Sequence, residues 1–363
     1  MNKLGFGFMR LPMLENGELD LEHCTKMVDA FMEAGFNYFD TAHNYLGGKS
    51  ETALKACLTS RYPRESYVLT NKLTYTFFEK QEEIAPLIDT QLEACGVEYF
   101  DYCLVHTITA KNYDKHVRCH SFEELRKLKE RGKIRHIGFS FHDQPEFLEK
   151  VLQENPEVEV VQIQFNYLDV ANPDVKSMGC CEVCRKYGKP VLVMEPVKGG
   201  ALANLPPKAA AVLDELGGGS HASYAIRYAA SQESVLKVLS GMSTLEQVQD
   251  NISFMKDFRP LDETELAALD RVREIILAQE TVGCTACRYC VDGCPQNILI
   301  PDLFQIYNRK QVYLTPGGWD YKAKTKENGK ASDCVGCGAC EEICPQHLPV
   351  REALKKVAAE FET

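Results

Sequence analysis

The chain has 363 residues, of which 45% are hydrophobic and 26% charged, a composition typical of globular proteins and not of disordered or fibrous chains. Its formal net charge of −11 argues against a nucleic-acid partner, because binding phosphates requires a basic face. The longest apolar runs are strand-sized and the first residues carry no signal-peptide pattern, so we expect a cytoplasmic protein that does not enter a membrane.

Short apolar runs alternate with segments of helical period from Leu4 to Phe258. The predicted strands are Leu4–Met9, Tyr38–Ala42, Tyr67–Leu73, Tyr99–His106, Ile134–Phe141, Val160–Asn166, Val191–Pro196 and Val235–Met242. The predicted helices between them are Leu21–Ala34, Glu51–Ser60, Glu83–Cys95, Phe122–Arg131, Pro145–Glu154, Val175–Tyr187, Tyr224–Ser231 and Leu245–Met255. Strands that are each followed by a helix predict an α/β fold, a closed (β/α)8 TIM barrel. A doubly wound sheet is the alternative, and the lack of a G-x-G-x-x-G turn disfavours it.

A further helix is predicted at Asp262–Gln279, and the composition changes after it. We therefore predict a barrel domain over residues 1–280 and a small α-helical domain over residues 281–363. Within the second domain, a helix is predicted near Pro301–Arg309, followed by a loop that holds Trp319.

Sixteen cysteines are the unusual feature of the composition, and in a long cytosolic chain they indicate metal binding more often than disulfides. Two motifs in the second domain share the spacing C-x2-C-x2-C-x3-C-P. The first motif has Cys284, Cys287, Cys290 and Cys294, and the second has Cys334, Cys337, Cys340 and Cys344. The remaining eight are predicted to pack as small apolar side chains, and these are Cys24, Cys57, Cys95, Cys103, Cys119, Cys180, Cys181 and Cys184.

This motif spacing is typical of ferredoxins with two [4Fe–4S] clusters, in which the fourth cysteine ligates the other cluster. By that rule, Cys344 completes the cluster held by the first three cysteines of the first motif. Cys294 likewise completes the cluster of the second motif. A zinc site with four cysteine ligands is the alternative, but it leaves the third cysteine and the repeated Cys-Pro unexplained.

Polar side chains lie at or just after the C-terminal ends of predicted strands, on the rim where barrel active sites form: Asp40, Tyr45, Lys72 and His106. A carbonyl that becomes an alkoxide needs a proton donor, and a tyrosine with a pKa near 10 is a poor one. A neighbouring lysine would lower that pKa, and an aspartate would keep the lysine charged. An imidazole N–H would orient the carbonyl oxygen.

The motifs around these positions resemble those of the aldo-keto reductases, in the branch that carries a C-terminal ferredoxin domain. They are Gly5-Phe6-Gly7-Phe8-Met9-Arg10, Asp40-Thr41-Ala42-His43-Asn44-Tyr45, Asn71-Lys72, Leu104-Val105-His106, Ile137-Gly138-Phe139-Ser140, Gln162, Met194-Glu195-Pro196, Gly199-Gly200 and Asn251. The resemblance implies reduction of a small aldehyde or ketone by NADPH or NADH. It also implies that Tyr45 is the general acid, tuned by Lys72 and Asp40, and that His106 orients the carbonyl.

The resemblance further implies the residues that bind the cofactor. Ser140 and Gln162 would bind the nicotinamide carboxamide, and Met194 would cover the nicotinamide ring. Asp250 and Asn251 would reach the adenine, and Gly199 and Gly200 belong to the same site. Lys198, beside these glycines, would either meet the pyrophosphate or be solvated. The stretch Ser240–Gln247 lacks the Lys and Arg that relatives preferring NADPH often carry, so the choice of NADH or NADPH stays open.

Two other functions remain as alternatives, because hydride transfer by itself needs no iron–sulfur cluster. The chain would be an electron-transfer protein that relays electrons between a redox partner protein and a nicotinamide or flavin in the barrel. It would otherwise be a nicotinamide-binding sensor without catalysis, which the presence of both Tyr45 and Lys72 disfavours.

Overall fold

The computed structural model describes residues 2–173, 175–279, 281–344 and 346–362. The chain divides into two compact units. The first extends to Leu269 without Pro206–Val212, and the second contains Pro206–Val212 and the chain from Asp270 onward. The predicted boundary falls on Glu280, which lies outside the described residues, so the division into 1–280 and 281–363 stays a prediction.

The first unit contains eight parallel strands that form a closed barrel in chain order, with the last strand pairing with the first. The strands are Leu4–Gly7 (β1), Tyr38–Asp40 (β2), Val68–Thr74 (β3), Phe100–Ile108 (β4), Ile134–Phe141 (β5), Val160–Gln164 (β6), Val191–Met194 (β7) and Val235–Gly241 (β8). The predicted TIM barrel is confirmed, and the doubly wound alternative is wrong.

Helices follow the strands in chain order, and residues 207–212 and 270–277 of these helices belong to the second unit. The helices are Leu21–Glu33 (α1), Lys49–Leu54 (α2), Ile84–Cys95 (α3), Tyr113–Arg118 (α4), Ser121–Glu130 (α5), Pro145–Glu154 (α6), Ser177–Lys186 (α7), Pro207–Asp214 (α8), His221–Ala230 (α9), Leu245–Met255 (α10) and Glu263–Leu277 (α11). Two helix starts follow known sequence preferences: Asp20 caps α1 by accepting a hydrogen bond from the backbone N–H of His23 at 2.9 Å, and Pro145 is the first residue of α6.

The barrel unit buries two groups of apolar side chains. Tyr38, Leu104, Val160, Leu192 and Leu239 form a small cluster contributed by five of the strands. A larger core packs the strands against the helices, and it includes the eight cysteines outside the two motifs, all of them buried. These cysteines therefore pack as small apolar side chains, as predicted.

The second unit is helical. Its later helices are Tyr289–Asp292 (α12), Ile300–Tyr313 (α13), Gly318–Thr325 (α14), Ala339–Glu342 (α15) and Val350–Phe361 (α16). Apolar residues of α13 and α16 form its core, among them Leu303, Phe304 and Leu354. None of the helices in the described part of the chain combines the length and apolarity needed to cross a membrane.

The predicted loop around Trp319 is wrong, because Trp319 lies in α14 with 89% of its surface exposed. Buried Tyr321 anchors this helix: its ring stacks on Phe361 with 5.0 Å between centroids, and its hydroxyl accepts a hydrogen bond from the Ala331 N–H at 2.9 Å. The Pro-Gly-Gly sequence at the start of α14 indicates a turn, but these tertiary contacts, which the local sequence does not reveal, hold the helix in place.

Candidate active site and candidate cluster sites

The polar residues predicted on the barrel rim come together on three neighbouring strands. Asp40 is the last residue of β2, while Lys72 and His106 lie near the ends of β3 and β4. Tyr45 follows β2 at the start of a short 3-10 turn, and its N–H donates to the carbonyl of Ala42 at 3.0 Å. Because parallel strands end at the same edge, this order places all four side chains on one rim.

Lys72 is the centre of this group. Its Nζ lies 2.6 Å from Oδ1 of Asp40 and donates to the carbonyl of Thr41 at 2.8 Å. The same Nζ lies 4.8 Å from the centre of the Tyr45 ring. The lysine side chain is fully buried, and a buried ammonium is tolerated only when partners such as these replace its water.

Burial and the neighbouring charges shift the pKa values of Lys72, Asp40 and Tyr45 in opposite directions. Burial lowers the pKa of Lys72, but Asp40 and Tyr45 outweigh it, so the pKa is raised and the ammonium form persists. Burial raises the pKa of Asp40, and Lys72 opposes that rise. Burial also raises the pKa of Tyr45 above 10, although Lys72 pulls it down. The expected lowering by Lys72 is therefore present, but the net shift of Tyr45 is upward, and its hydroxyl keeps its proton at neutral pH.

His106 packs edge-on against Tyr45, with 5.9 Å between ring centroids and 75° between ring planes. Its Nδ1 lies 2.7 Å from the hydroxyl oxygen of Thr74. Burial first, and then the charge of Lys72, hold the pKa of His106 well below its ordinary value. The imidazole is therefore neutral at pH 7 and has one N–H to donate.

A cleft opens beside Tyr45 and Asp40. Except for Ser140, all the residues predicted to bind the cofactor line it, namely Gln162, Met194, Gly199, Gly200, Asp250 and Asn251. Ser140 is buried, and its hydroxyl oxygen accepts a hydrogen bond from the N–H of Thr107 at 2.7 Å.

Several of these lining side chains already have protein partners. Gln162 donates to Asp40 at 3.3 Å, and Asn251 donates to the Ser240 hydroxyl at 2.7 Å. Asp250 accepts a hydrogen bond from the Ser220 hydroxyl at 2.6 Å. The cleft wall is thus held in place by side-chain hydrogen bonds before a ligand enters.

The glycine pair on this wall has a conformational role. Gly199 and Gly200 have φ angles of +64° and +102°, in a region that L-residues with a side chain rarely adopt. A Cβ at Gly199 would lie 3.4 Å from the guanidinium of Arg10. The pair therefore lets the backbone turn tightly at the cleft, where neither residue adds side-chain bulk, and the Gly200 N–H donates to the carbonyl of Val197 at 3.0 Å.

The structure contradicts one of the two interpretations of Lys198, and its contact with a cofactor pyrophosphate stays a prediction. Lys198 is 7% exposed, so the solvated interpretation is wrong, and its Nζ lies 2.6 Å from a carboxylate oxygen of fully buried Asp169. This partner comes from the loop after β6 and could not be identified from the local sequence.

Sequence reasoning missed three residues of the site. Arg10 and Glu195 both line the cleft and form an ion pair at 3.6 Å, and Thr74 contacts His106. Each of the three ends or follows a barrel strand, so the rim rule that selected Tyr45 and Lys72 could also have selected them.

The cysteines of the second unit surround two cavities. Cys284, Cys287, Cys290 and Cys344 line one cavity, while Cys294, Cys334, Cys337 and Cys340 line the other. Each cavity thus receives three cysteines from one motif and the fourth from the other motif. Among the described residues no group of Cys, His, Asp or Glu is compact enough for a single metal ion. The donor set fits a larger centre with four thiolates around it.

The two motifs share their backbone conformation as well as their spacing. Ala286 and Arg288 in the first motif have positive φ, as do Gly336 and Gly338 at the matching positions of the second. Non-glycine residues at positive φ are strained, and such strain persists where the surroundings require that conformation. Backbone N–H groups also point at cysteine sulfurs, as from Ile298 to Cys294 at 3.4 Å. Such bonds stabilise a thiolate.

The barrel, its rim group and the adjoining cleft are those of an oxidoreductase built on a TIM barrel. Residues 3–274 match the aldo/keto reductase family, and residues 283–349 match a 4Fe-4S dicluster domain. The chain therefore belongs to the aldo/keto reductase family, and a helical 4Fe-4S dicluster domain follows its barrel.

Individual relatives are distant. L-galactose dehydrogenase of Arabidopsis thaliana is 25% identical over 294 residues, which cover 76% of this chain and 91% of that protein. NADH-specific methylglyoxal reductase of Escherichia coli (strain K12) is 24% identical over 290 residues, which cover 66% of this chain and 84% of that protein. A solved aldo-keto reductase from Klebsiella pneumoniae in complex with NADPH has a TM-score of 0.61 at 19% identity, covering 74% of this chain and 90% of that chain, and shows the shared fold.

Proposed function

We propose that this chain reduces a small aldehyde or ketone to an alcohol with a reduced nicotinamide cofactor held in the barrel cleft. The observation that carries the proposal is the fully buried ion pair of Lys72 and Asp40 at 2.6 Å, with the Lys72 ammonium 4.8 Å from the Tyr45 ring centre. An ammonium buried against a tyrosine that lines a cleft is an arrangement that supports proton transfer.

The proposed steps follow from these contacts. Reduced nicotinamide, when bound, supplies a hydride to the carbonyl carbon. Tyr45 gives its hydroxyl proton to the carbonyl oxygen, so that the C=O bond becomes an alcohol. Lys72, held by Asp40, stabilises the tyrosinate that remains. His106 is neutral and donates its N–H to the same oxygen, which orients the carbonyl.

The cleft has the features that such a cofactor needs. Gln162 offers an amide close to Asp40, Met194 offers an apolar surface, and the glycine pair lets a ligand approach the backbone closely. Related proteins support this class of ligand, since one solved structure contains NADPH and one relative is called an NADH-specific reductase.

The second unit supports a further candidate function, electron transfer through two [4Fe–4S] clusters to a redox partner protein. The favouring observation is that Cys287 and Cys337, the second cysteine of each motif, are exposed while the other motif cysteines are partly covered. Such clusters, when bound, carry single electrons. In this scheme the barrel cleft holds a nicotinamide or flavin that exchanges electrons with them.

One anaerobic experiment tests both candidates. The protein with its clusters reconstituted is mixed with NADH carrying deuterium at both C4 positions and with methylglyoxal, chosen because one relative is named for it, or with other small carbonyls. Direct reduction predicts an alcohol labelled at the former carbonyl carbon and clusters that stay oxidised during turnover. Unlabelled product, with cluster bleaching before product formation, contradicts hydride transfer and supports the relay.

The charges along the cleft support a preference for NADH. Among the described lining residues the only cation is Arg10, which is paired with Glu195, and Asp40 is paired with Lys72. Asp250 is held by a serine hydroxyl and not by a cation. If the nicotinamide were held at Tyr45 and the adenosine half by Asp250 and Asn251 of α10, this carboxylate would repel a 2′-phosphate.

We therefore expect the protein to bind NADH roughly tenfold more tightly than NADPH, and Asp250→Asn to narrow that ratio by improving NADPH binding. Nucleotide fluorescence titration at low and high salt measures both dissociation constants. Asp257→Asn, a change outside the cleft, serves as the matched control. Equal affinities for the two cofactors in the unsubstituted protein would contradict the assignment.

A further inference from the structure

Thr74 ends β3, directly opposite His106 in the parallel pairing of β3 with β4. Its hydroxyl oxygen lies 2.7 Å from Nδ1 of His106, and the side chains are almost fully buried, with Thr74 3% and His106 7% exposed. The contact therefore lies in a dry part of the rim, where a hydrogen bond holds its partners firmly.

The charged and titratable groups that face His106 favour its neutral form. Lys72, His116 and His142 each lower the pKa of His106, and Tyr45 packs against its ring. With its pKa held down by burial, His106 is neutral and carries a single N–H. The position of that proton decides which ring nitrogen donates.

A hydroxyl can either donate to Nδ1 or accept from it, and the two choices have opposite consequences. If Thr74 accepts, the proton sits on Nδ1 and the remaining nitrogen, Nε2, has no proton to give to a carbonyl oxygen. If Thr74 donates, Nδ1 is the acceptor and the imidazole proton sits on Nε2.

We infer that Thr74 is a positioning residue that donates its hydroxyl proton to Nδ1 of His106 and so fixes the Nε2–H tautomer facing the substrate carbonyl. The inference rests on the proposed function, because it requires His106 to donate a hydrogen bond to the reacting oxygen. Thr74 itself touches neither substrate nor cofactor in this arrangement and acts through His106.

The test compares Thr74→Val, which keeps the side-chain shape and removes the donor, with Thr74→Ser, which keeps the donor. We expect Thr74→Val to lower kcat/KM for the carbonyl by roughly tenfold to a hundredfold, with the dissociation constant of NADH unchanged. Thr74→Ser should recover activity to within about threefold of the unsubstituted protein. A Thr74→Val protein with full activity overturns the inference.

The tautomer is measured directly by 15N NMR of protein labelled at histidine, with the His106 signals assigned through His106→Gln. The unsubstituted protein should show the Nε2–H form, and Thr74→Val should show a mixture with Nδ1–H. An Nδ1–H signal in the unsubstituted protein overturns the inference even if the valine variant does not fold. If the Nε2–H form is present and disturbed by valine, but no carbonyl is reduced, the proposed function fails while the role of Thr74 stands.

Discussion

Replacing Tyr45 by Phe is expected to lower kcat/KM for carbonyl reduction by about 10²- to 10⁴-fold, which is the range contributed by a positioned proton donor. The substitution removes one oxygen and keeps the ring against Lys72 and His106. Since the loss falls on proton transfer, we expect the nucleotide to bind as before. Steady-state kinetics with the best carbonyl, together with fluorescence titration of NADH, separate these two quantities.

Tyr99→Phe is the matched control for this variant. The hydroxyl of Tyr99 is buried with no hydrogen-bond partner among the described residues, so its removal should leave kcat/KM unchanged. A Tyr45→Phe protein that retains more than about a tenth of the activity of the Tyr99→Phe protein would refute Tyr45 as the general acid.

The dependence of kcat/KM on pH is a further test of Tyr45 as the general acid. Burial raises the pKa of Tyr45 above 10, so its proton is available below that pH and is lost only as the pH rises through the raised value. The pKa of His106 is well below 6.5, so this ring stays neutral across the whole neutral range. We therefore expect kcat/KM to be flat between about pH 6 and 9, without a histidine titration near 6.5.

The strands of the barrel could be predicted because each is a short apolar run bounded by turn residues. The strand Ile134–Phe141 has the predicted bounds, with Gly132 at positive φ before it. Strand β3, which pairs with β4, extends to Thr74, one residue past the prediction, and that residue is the partner of His106. Strand register and side-chain pairing across strands depend on the closed barrel, so the contact was not available from sequence.

The net pKa shift of Tyr45 and the burial of Lys198 could not be predicted from the sequence either. The pairing of Lys72 with Asp40 follows from their places on adjacent strands, but the net shift of Tyr45 depends on how deeply the site is buried. Likewise, Lys198 next to two glycines looks like an exposed loop residue. Its burial against Asp169 results from a contact between residues 29 positions apart.

Two double substitutions in the dicluster domain should leave different amounts of iron, although each removes two cysteines. Cys287 and Cys344 line the same cavity, so replacing both with alanine should remove one cluster and leave about four irons per chain. Cys337 lines the other cavity with Cys294, so replacing Cys337 and Cys344 should remove both clusters and leave almost no iron. The intact protein should hold about eight irons.

The comparison decides how the motifs share ligands. If each motif held its own cluster with its own fourth cysteine, Cys337 and Cys344 would belong together and the two results would be exchanged. Iron and acid-labile sulfide are measured after anaerobic reconstitution, and circular dichroism checks that both double variants keep their helices. The single variants Cys287→Ala and Cys337→Ala should each retain about four irons, which sets the reference value for one remaining cluster. Because cluster binding and folding of a small domain are coupled, loss of iron in both double variants together with loss of helicity would instead show that the domain folds only when both clusters are bound.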